Sequence, residues 1–210
     1  MLLMCLKITL MQKQKLILNN VTLIALTGVA KDVDAHIEAL RKSCEGIEFG
    51  AVKMIYDAKC NSIDEWNRKI IYELWKYVET EFCILIHADG YIINPELWNP
   101  DWLNYDFIGA PWPLPQDNYS YLDDRGRLVR VGNSVGLRSR KLLKLPTDLN
   151  LEWKSYYGNT NEDGFLCCHN KSTLEAFGCN FAPLEVAVHF SKEHEIPENK
   201  GLSTFMFHSL

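Results

Sequence analysis

The sequence contains neither of the two glycine-rich patterns known for binding phosphate groups, G-x-G-x-x-G and G-x-x-x-x-G-K-[ST]. In proteins that carry them, these patterns bring backbone N–H groups close to a phosphate. Their absence argues against a dinucleotide-dependent dehydrogenase and against a P-loop enzyme.

An excess of basic residues is also missing. The chain carries 22 Lys and Arg against 27 Asp and Glu, which gives a net charge of −5. A surface that binds nucleic acid is normally basic, so we expect no nucleic-acid partner. An anionic substrate would then need a local basic patch or a metal ion.

No segment has the length and composition of a transmembrane helix, and none is expected. Residues 1–11 are apolar, but a membrane span needs about 20 such residues. They lack a preceding basic region and a clear cleavage site, so we expect no signal peptide. A weak peripheral membrane contact through residues 1–15 stays open. The seven cysteines fit neither a zinc ribbon nor a disulfide framework, which favours reduced thiols and a cytoplasmic location.

What the sequence does contain is an alternation of strand and helix patterns. Apolar runs at Val21–Leu26, Ala51–Tyr56 and residues 82–87 predict strands, with helical patterns between them. This order predicts a Rossmann-like α/β fold, a mostly parallel sheet flanked by helices in a single domain. The continuous apolar run that begins at Phe82 predicts a central strand that is buried on both faces.

Two helices are predicted between these strands. The first would be capped by Asp32 or Asp34 and would bury Val33, Ile37, Leu40 and Cys44. The second follows the capping box Ser62-x-x-Glu65 and would bury Trp66, Ile70, Leu74 and Val78.

The middle of the chain, residues 91–125, is rich in proline and tryptophan, which favours ordered loops over helices. Its tryptophans have two interpretations, as flat platforms for a sugar or base or as core residues: Trp98, Trp102 and Trp112. The polar stretch Asp117–Arg130, with a turn at Arg125-Gly-Arg127, is a candidate lid.

The remaining elements are predicted from shorter patterns. Leu128–Arg138 and Phe181–Phe190 predict strands, and residues 139–145 predict a helix. Asn161 is predicted to cap another helix, whose first turn contains two acids. Favourable interaction with the helix dipole would explain these acids without any function.

The motif His87-Ala88-Asp89 directly follows the central strand. In open α/β sheets, ligands bind beyond the carboxyl ends of the strands. Asp89 is the best candidate ligand for Mg²⁺ or Mn²⁺, because hard cations prefer carboxylate oxygen. His87 would bind Mn²⁺ directly or hold a water next to the metal. The competing interpretation is a polar turn in which Asp89-Gly90 is only turn chemistry.

Five ordered blocks within residues 20–208 resemble the GT-A class of nucleotide-sugar glycosyltransferases. Within this class they are most similar to a poorly characterised bacterial group known only as glycosyltransferase-like. His87-Ala88-Asp89 resembles the D-x-D metal motif, although its first acid is here a histidine. Tyr105–Trp112 resembles D-Y-I-G-A-P-W, and Val131–Ser139 resembles G-N-G-G-F-S-L-R-S. Glu162-Asp163 resembles an E-D pair, and Phe207-His208 resembles a late F-H.

The resemblance implies a GT-A-like domain over residues 1–210, with a nucleotide-binding half at about 20–90 and an acceptor half at about 91–208. It implies transfer of a sugar from a nucleotide-sugar donor, with a UDP-type donor preferred, to a hydroxyl of a saccharide or glycan acceptor. The anomeric carbon would be inverted. A Mn²⁺ or Mg²⁺ ion would be held by Asp89, His87 and the late histidine, His208.

The resemblance also implies roles for the acidic pair. Asp163 would be the general base that deprotonates the acceptor hydroxyl, and Glu162 would bind acceptor hydroxyls. The preceding residues 156–160 are loop-like and would open onto a cleft. Thr27 and Asp57 end two predicted strands and are candidates for holding the nucleoside. The rest of the predicted nucleotide-binding set is Asn67, Arg68 and Ala88.

Two other classes of protein stay open. A nucleotidyltransferase also places a metal-binding carboxylate after a strand, but Thr27–Lys31 is a poor version of its glycine-rich basic loop. A non-catalytic carbohydrate- or nucleotide-binding module is favoured if His87 abolishes metal binding. The other histidines have no ligand spacing and are predicted to be surface or packing residues: His36, His169, His189 and His194.

Overall fold

A five-stranded sheet forms the centre of the protein, whose computed structural model describes residues 15–153 and 161–209. Residues 1–14 of the predicted membrane contact at 1–15, and the predicted loop at 156–160, lie outside these residues. The order across the sheet is β2-β1-β3-β5-β4. The strands are β1 (Leu16–Thr27), β2 (Ile47–Tyr56), β3 (Phe82–Ile86), β4 (Phe107–Pro111) and β5 (Val131–Ser139).

The strand directions confirm a mostly parallel sheet. β1 runs parallel to both β2 and β3, whereas β5 is antiparallel to β3 and to β4. Four strands therefore point one way and β5 points the other, a reversal that the sequence pattern did not predict. β3 lies in the middle of the five strands, as expected from its continuous apolar sequence.

Six α-helices pack around this sheet in the described residues: α1 (Val33–Ser43), α2 (Ile63–Glu73), α3 (Arg140–Asp148), α4 (Glu162–Gly164), α5 (Lys171–Ala176) and α6 (Leu184–Phe190). Serines start two of them. Oγ of Ser62 accepts the N–H of Glu65 at 3.3 Å, and Oγ of Ser139 accepts the N–H of Leu142 at 3.0 Å. These hydrogen bonds satisfy N–H groups that the first turn of a helix leaves unpaired. No helix within the described ranges is long and apolar enough to cross a membrane.

Two sequence predictions about these elements are wrong. Residues 181–190 are not a strand, because α6 occupies Leu184–Phe190. A short apolar run does not by itself distinguish the two-residue period of a strand from the 3.6-residue period of a helix. The apolar face of α1 is also rotated from the predicted one, since Ile37 is 48% exposed while His36 and Ser43 are buried.

The core lies on both faces of the central strands. Side chains of β3 alternate between two apolar clusters, with Ile84 and Ile86 in one and Cys83 and Leu85 in the other. All four are fully buried. This two-sided burial explains why the strand has no alternating polar residues.

The C-terminal segment folds back onto the domain. β6 (Ser191–Lys192) and β7 (Met206–Phe207) form a small parallel pair, and the next residue, His208, donates its N–H to the carbonyl of Lys192 at 2.9 Å. The fold-back encloses Phe205, whose ring lies 5.6 Å from that of Trp102 and 5.3 Å from that of Trp98. Trp102 is therefore a core residue, and Trp98 is partly buried against the core.

Close contact between β4 and β5 depends on a missing side chain at Gly109. A Cβ atom built there would lie 1.5 Å from the carbonyl oxygen of Gly132. The strand register also shifts between Ile108 and Ala110. Because the obstructing atom belongs to the backbone, a larger residue at position 109 would require the two strands to separate.

We therefore expect Gly109→Ala to lower the free energy of unfolding by about 3 kcal/mol, the upper range for overpacking a core. Gly126→Ala is the control. At that position φ is +74° and no atom lies within 4 Å, so only the backbone strain of about 1 kcal/mol applies. Urea unfolding of both variants measures the difference. Equal losses would show that β4 and β5 are not closely apposed at Gly109.

Candidate functional site

The first part of the candidate site is a pocket at the carboxyl ends of β1 and β3. It has a volume of about 350 Å³. The predicted residues Thr27, His87, Ala88 and Asp89 all line it, together with His36 and Trp66. We call it the strand-end pocket. His36, which the sequence predicted to be a surface or packing residue, is buried and forms part of its wall.

Three predicted metal ligands meet at the edge of this pocket. One ligand atom from each of His87, Asp89 and His208 lies within 4.8 Å of the other two. Gly90 makes this approach possible, because a Cβ atom there would lie 2.8 Å from Cδ2 of His208. The Asp89-Gly90 pair also forms a turn, with hydrogen bonds between the backbones of His87 and Gly90, and its glycine leaves room for the third side chain.

His87 is suited to binding a cation. Burial lowers the pKa of its imidazole to about 3, and repulsion from His208 adds to this effect. The ring is therefore neutral at physiological pH. Within the described residues, its Nε2 is buried and has no hydrogen-bond partner. A neutral imidazole with an unpaired nitrogen, next to a carboxylate and a second imidazole, fits a divalent metal ion.

Two hydrogen bonds from Ser209 hold Asp89 in place. The backbone N–H of Ser209 donates to the carbonyl of Asp89, and Oγ of Ser209 donates to Oδ2 of Asp89, both at 2.9 Å. Burial works to raise the pKa of Asp89, but the Ser209 hydrogen bond and the nearby His208 outweigh it and lower the pKa. Asp89 therefore carries a negative charge at neutral pH.

A cleft of about 620 Å³ forms the second part of the site, and Asp163 at the start of α4 lines it. Oδ2 of Asp163 accepts the N–H of Asn133 at 3.0 Å. Burial raises the pKa of Asp163, against the opposing effect of its backbone hydrogen bonds. Its carboxylate therefore gains a proton more readily than that of an ordinary aspartate.

The walls of this cleft are aromatic and acidic, so we call it the acidic cleft. The rings of Trp112 and Tyr121 stack at 4.7 Å with an angle of 21° between their planes. Four carboxylates line the cleft, those of Asp123, Asp124, Asp163 and Glu193. No Lys or Arg is present among its described lining residues. Both polar stretches predicted from the sequence, 117–130 and 161–164, contribute to these walls.

Glu162 differs sharply from its neighbour Asp163. Its carboxylate is 1% exposed and forms a 2.8 Å ion pair with Arg138, which is fully buried. Ser134 donates a further hydrogen bond to it at 3.0 Å. An acceptor could reach Glu162 only after rearrangement of these contacts, so its predicted role in binding acceptor hydroxyls stays a prediction. Burial and the neighbouring Asp163 raise the pKa of Glu162, and Arg138 opposes this.

Three residues of the predicted nucleotide-binding set lie outside the strand-end pocket. Asn67 is 3% exposed, and its Oδ1 accepts the N–H of Glu162 at 3.1 Å. Asp57 forms an ion pair with Lys69 at 2.8 Å. Arg68 forms an ion pair with Asp64 at 2.8 Å and lies over the ring of Trp153. In this structure the three side chains are engaged with protein groups.

Glu193 and Asn133 connect the two parts of the site, and the sequence did not identify either side chain. Oε1 of Glu193 lies 3.4 Å from Nδ1 of His208. Nδ2 of Asn133 lies 3.0 Å from the same nitrogen. Burial works to raise the pKa of Glu193, but hydrogen bonds from His208 and Asn133 lower it. The G-N block had pointed to the region of Asn133, whereas Glu193 lies in an ordinary-looking polar turn.

Comparisons with known proteins agree with the fold. A family model described as "Protein of unknown function (DUF5672)" matches residues 51–208, and the chain belongs to that family. No curated protein matches the sequence. A solved structure, "Crystal structure of a glycosyltransferase involved in the glycosylation of the major capsid of PBCV-1", superposes with a TM-score of 0.57 at 12% identity. The match covers 90% of this chain and 92% of that chain, and it shows a glycosyltransferase-like fold.

The buried ion pair gives a stability prediction. Glu162→Gln leaves the charge of Arg138 buried without a compensating charge, which typically costs about 3–5 kcal/mol. Asp64→Asn removes an acid from an exposed pair with Arg68 and should cost less than about 1 kcal/mol. Urea unfolding at pH 8, above the ordinary titration range of a carboxyl, measures both. Similar losses for the two variants would contradict a structural role for Glu162.

Proposed function

We propose that this member of the DUF5672 family is a glycosyltransferase that moves a sugar from a nucleotide-sugar donor to a hydroxyl of a saccharide or glycan acceptor. One observation carries the proposal. The cluster of metal-ligand candidates at the strand-end pocket and the Asp163 carboxylate in the acidic cleft both contact Asn133, each at 3.0 Å. This contact supports a site for the leaving nucleotide next to a base for the acceptor. The glycosyltransferase-like fold supports this assignment.

The strand-end pocket would hold the nucleotide, and we favour a UDP-type sugar donor. None of the described residues that line it is Lys or Arg. The diphosphate would therefore depend on a cation, Mn²⁺ or Mg²⁺, held by Asp89, His87 and His208. Stabilising the negative charge that develops on the leaving diphosphate is the chemistry that such a cation supplies. Two imidazoles in the set favour Mn²⁺ over Mg²⁺, which prefers oxygen ligands.

The acidic cleft would hold the acceptor. The ring of Tyr121, which stacks on the buried Trp112, suits the apolar face of a sugar. Asp163 would take the proton of the attacking hydroxyl, and its raised pKa makes it a stronger base than an ordinary aspartate. Direct attack on the face opposite the leaving group would invert the anomeric carbon. The acidic walls disfavour an anionic acceptor, and the cytoplasmic location stays a prediction.

The alternatives predict different behaviour toward a sugar nucleotide. A nucleotidyltransferase would require charge neutralisation around a triphosphate, for which the described lining of the strand-end pocket offers no basic side chain. A non-catalytic module would bind a sugar nucleotide without consuming it. The substitution of His87 for the first acid of D-x-D is the one feature that favours such a module, and a metal-binding measurement tests it.

We expect Asp89→Asn to weaken binding of a UDP-sugar in Mn²⁺ by about 10–100-fold, because it removes the one carboxylate of the ligand set. In EDTA the variant and the wild type should bind equally weakly. Asp101→Asn, an exposed aspartate away from the pocket, is the control. Isothermal titration calorimetry measures the affinities. Equal wild-type affinity with and without metal would eliminate the proposed metal role.

We expect Asp163→Asn to lower the rate of sugar transfer by about 10²–10⁴-fold, the usual effect of losing a general base. Sugar-donor affinity and melting temperature should change little, since the amide retains an oxygen that can accept the N–H of Asn133. Glu162→Gln, by contrast, should lower the melting temperature. Transfer rate, donor affinity and melting temperature are measured for both variants. Near wild-type transfer by Asp163→Asn would exclude it as the base.

A further inference from the structure

Asn133 adopts a backbone conformation that is unusual for a residue with a side chain. Its φ is +85° and it is 3% exposed. Non-glycine residues seldom occupy this region, although asparagine tolerates it better than most, and such residues concentrate at functional sites. The conformation is maintained by specific contacts on both its backbone and its side chain.

The contacts of Asn133 also fix the orientation of its amide. Oδ1 accepts the backbone N–H of Val135 at 2.8 Å. Because an amide oxygen is the appropriate partner for an N–H group, the nitrogen Nδ2 must be the atom that faces His208. The backbone N–H of Asn133 meanwhile donates to Asp163. One residue therefore contacts both the predicted base and a predicted metal ligand.

Two groups compete for Nδ1 of His208, and they require different tautomers. The amide of Asn133 donates, so it favours an unprotonated Nδ1. The carboxylate of Glu193 accepts, so it favours a proton on Nδ1. Nε2 of His208 is the nitrogen that points toward Asp89, at 3.7 Å from its Oδ1. This nitrogen can bind a cation only when the imidazole proton lies on Nδ1, facing Glu193.

We infer that Glu193 is a positioning residue, which holds the proton on Nδ1 of His208 and so presents Nε2 to the cation. The Asn133 amide favours the other tautomer, so binding of the cation must break its hydrogen bond to His208. Asn133 keeps its backbone hydrogen bond to Asp163, and its amide remains next to Glu193. The inference rests on the proposed metal-dependent glycosyl transfer, and it adds one side chain to the groups on which that activity depends.

The test is the affinity of the full chain for Mn²⁺ alone, measured by electron paramagnetic resonance of the free ion without any sugar nucleotide. We expect Glu193→Gln to weaken Mn²⁺ binding by about 10–100-fold, the effect typical of losing a partner of a metal-bound histidine. Glu195→Gln is the matched control. It removes the same charge from the same turn, at a side chain that is 58% exposed and pairs with Lys192. It should leave the affinity within about threefold.

A second variant separates positioning from folding. Asn133→Gly keeps the backbone N–H for Asp163 and removes the cost of the positive φ, but it deletes the amide. The N–H of Val135 loses its acceptor, so we expect a lower melting temperature. Mn²⁺ affinity should nevertheless equal or exceed that of the wild type, because the donor that favours the other tautomer of His208 is gone. A fall in Mn²⁺ affinity in Asn133→Gly, or equal affinities in Glu193→Gln and Glu195→Gln, would overturn the inference.

Failure of the proposed function gives a different result. If the wild type binds Mn²⁺ with the expected dependence on Glu193 but consumes no sugar nucleotide, the network stands and glycosyl transfer is wrong. If the wild type binds Mn²⁺ no better than Asp89→Asn, the metal site and the inference are both overturned.

Discussion

The buried ion pair between Arg138 and Glu162 is the interaction on which the candidate site depends most. It joins β5 to the start of α4 at a distance of 2.8 Å, and both side chains are almost completely buried. Removing two charges from water is costly, so such a pair persists only when its geometry is well satisfied. Here Ser134 and the carbonyls of residues 133 and 134 provide additional hydrogen bonds, while Nε of Arg138 is buried without a partner among the described residues. The adjacent residue, Asp163, is thereby placed against the backbone of Asn133.

Charge distribution explains why the two parts of the site would act together. The described linings of the strand-end pocket and of the acidic cleft both lack Lys and Arg. A diphosphate in the first pocket would face the carboxylate of Asp89 without a compensating cation. Binding of such a ligand would therefore depend on a metal ion, and the neutral His87, whose buried Nε2 has no partner among the described residues, is suited to hold one. Because Asn133 contacts both His208 and Asp163, the candidate metal ligands and the proposed base belong to one hydrogen-bonded network.

The elements that the sequence predicts correctly are those whose local residue pattern determines their structure. The continuous apolar run of β3 specified its central position, and the capping box at Ser62 specified the start of α2. The elements that the sequence predicts wrongly are those whose structure depends on contacts between residues distant in the chain. The reversed direction of β5 follows from its pairing with β4, and the helical state of residues 184–190 follows from packing against Phe205 and Trp102. Neither contact leaves a periodic signal in the sequence.

The same distinction applies to the site. His87, Ala88 and Asp89 were identified because they directly follow a recognisable strand, and Thr27 because it ends another. Asp57 also follows a strand, whereas Arg68 lies within α2. Ion pairs with Lys69 and Asp64 engage these two side chains outside the pocket. Glu193 is recognised as part of the candidate site only from the structure, because the fold of the C-terminal segment brings His208 beside it.

The most direct test of the account is the release of nucleoside diphosphate from sugar nucleotides. The purified full chain is incubated with UDP-glucose, UDP-galactose and UDP-N-acetylglucosamine, in Mn²⁺ or in EDTA, and free UDP is measured. The account predicts slow hydrolysis of at least one of these compounds in Mn²⁺, abolished by EDTA and by Asp163→Asn. Binding of a sugar nucleotide without any release of UDP would contradict it and would identify a non-catalytic module.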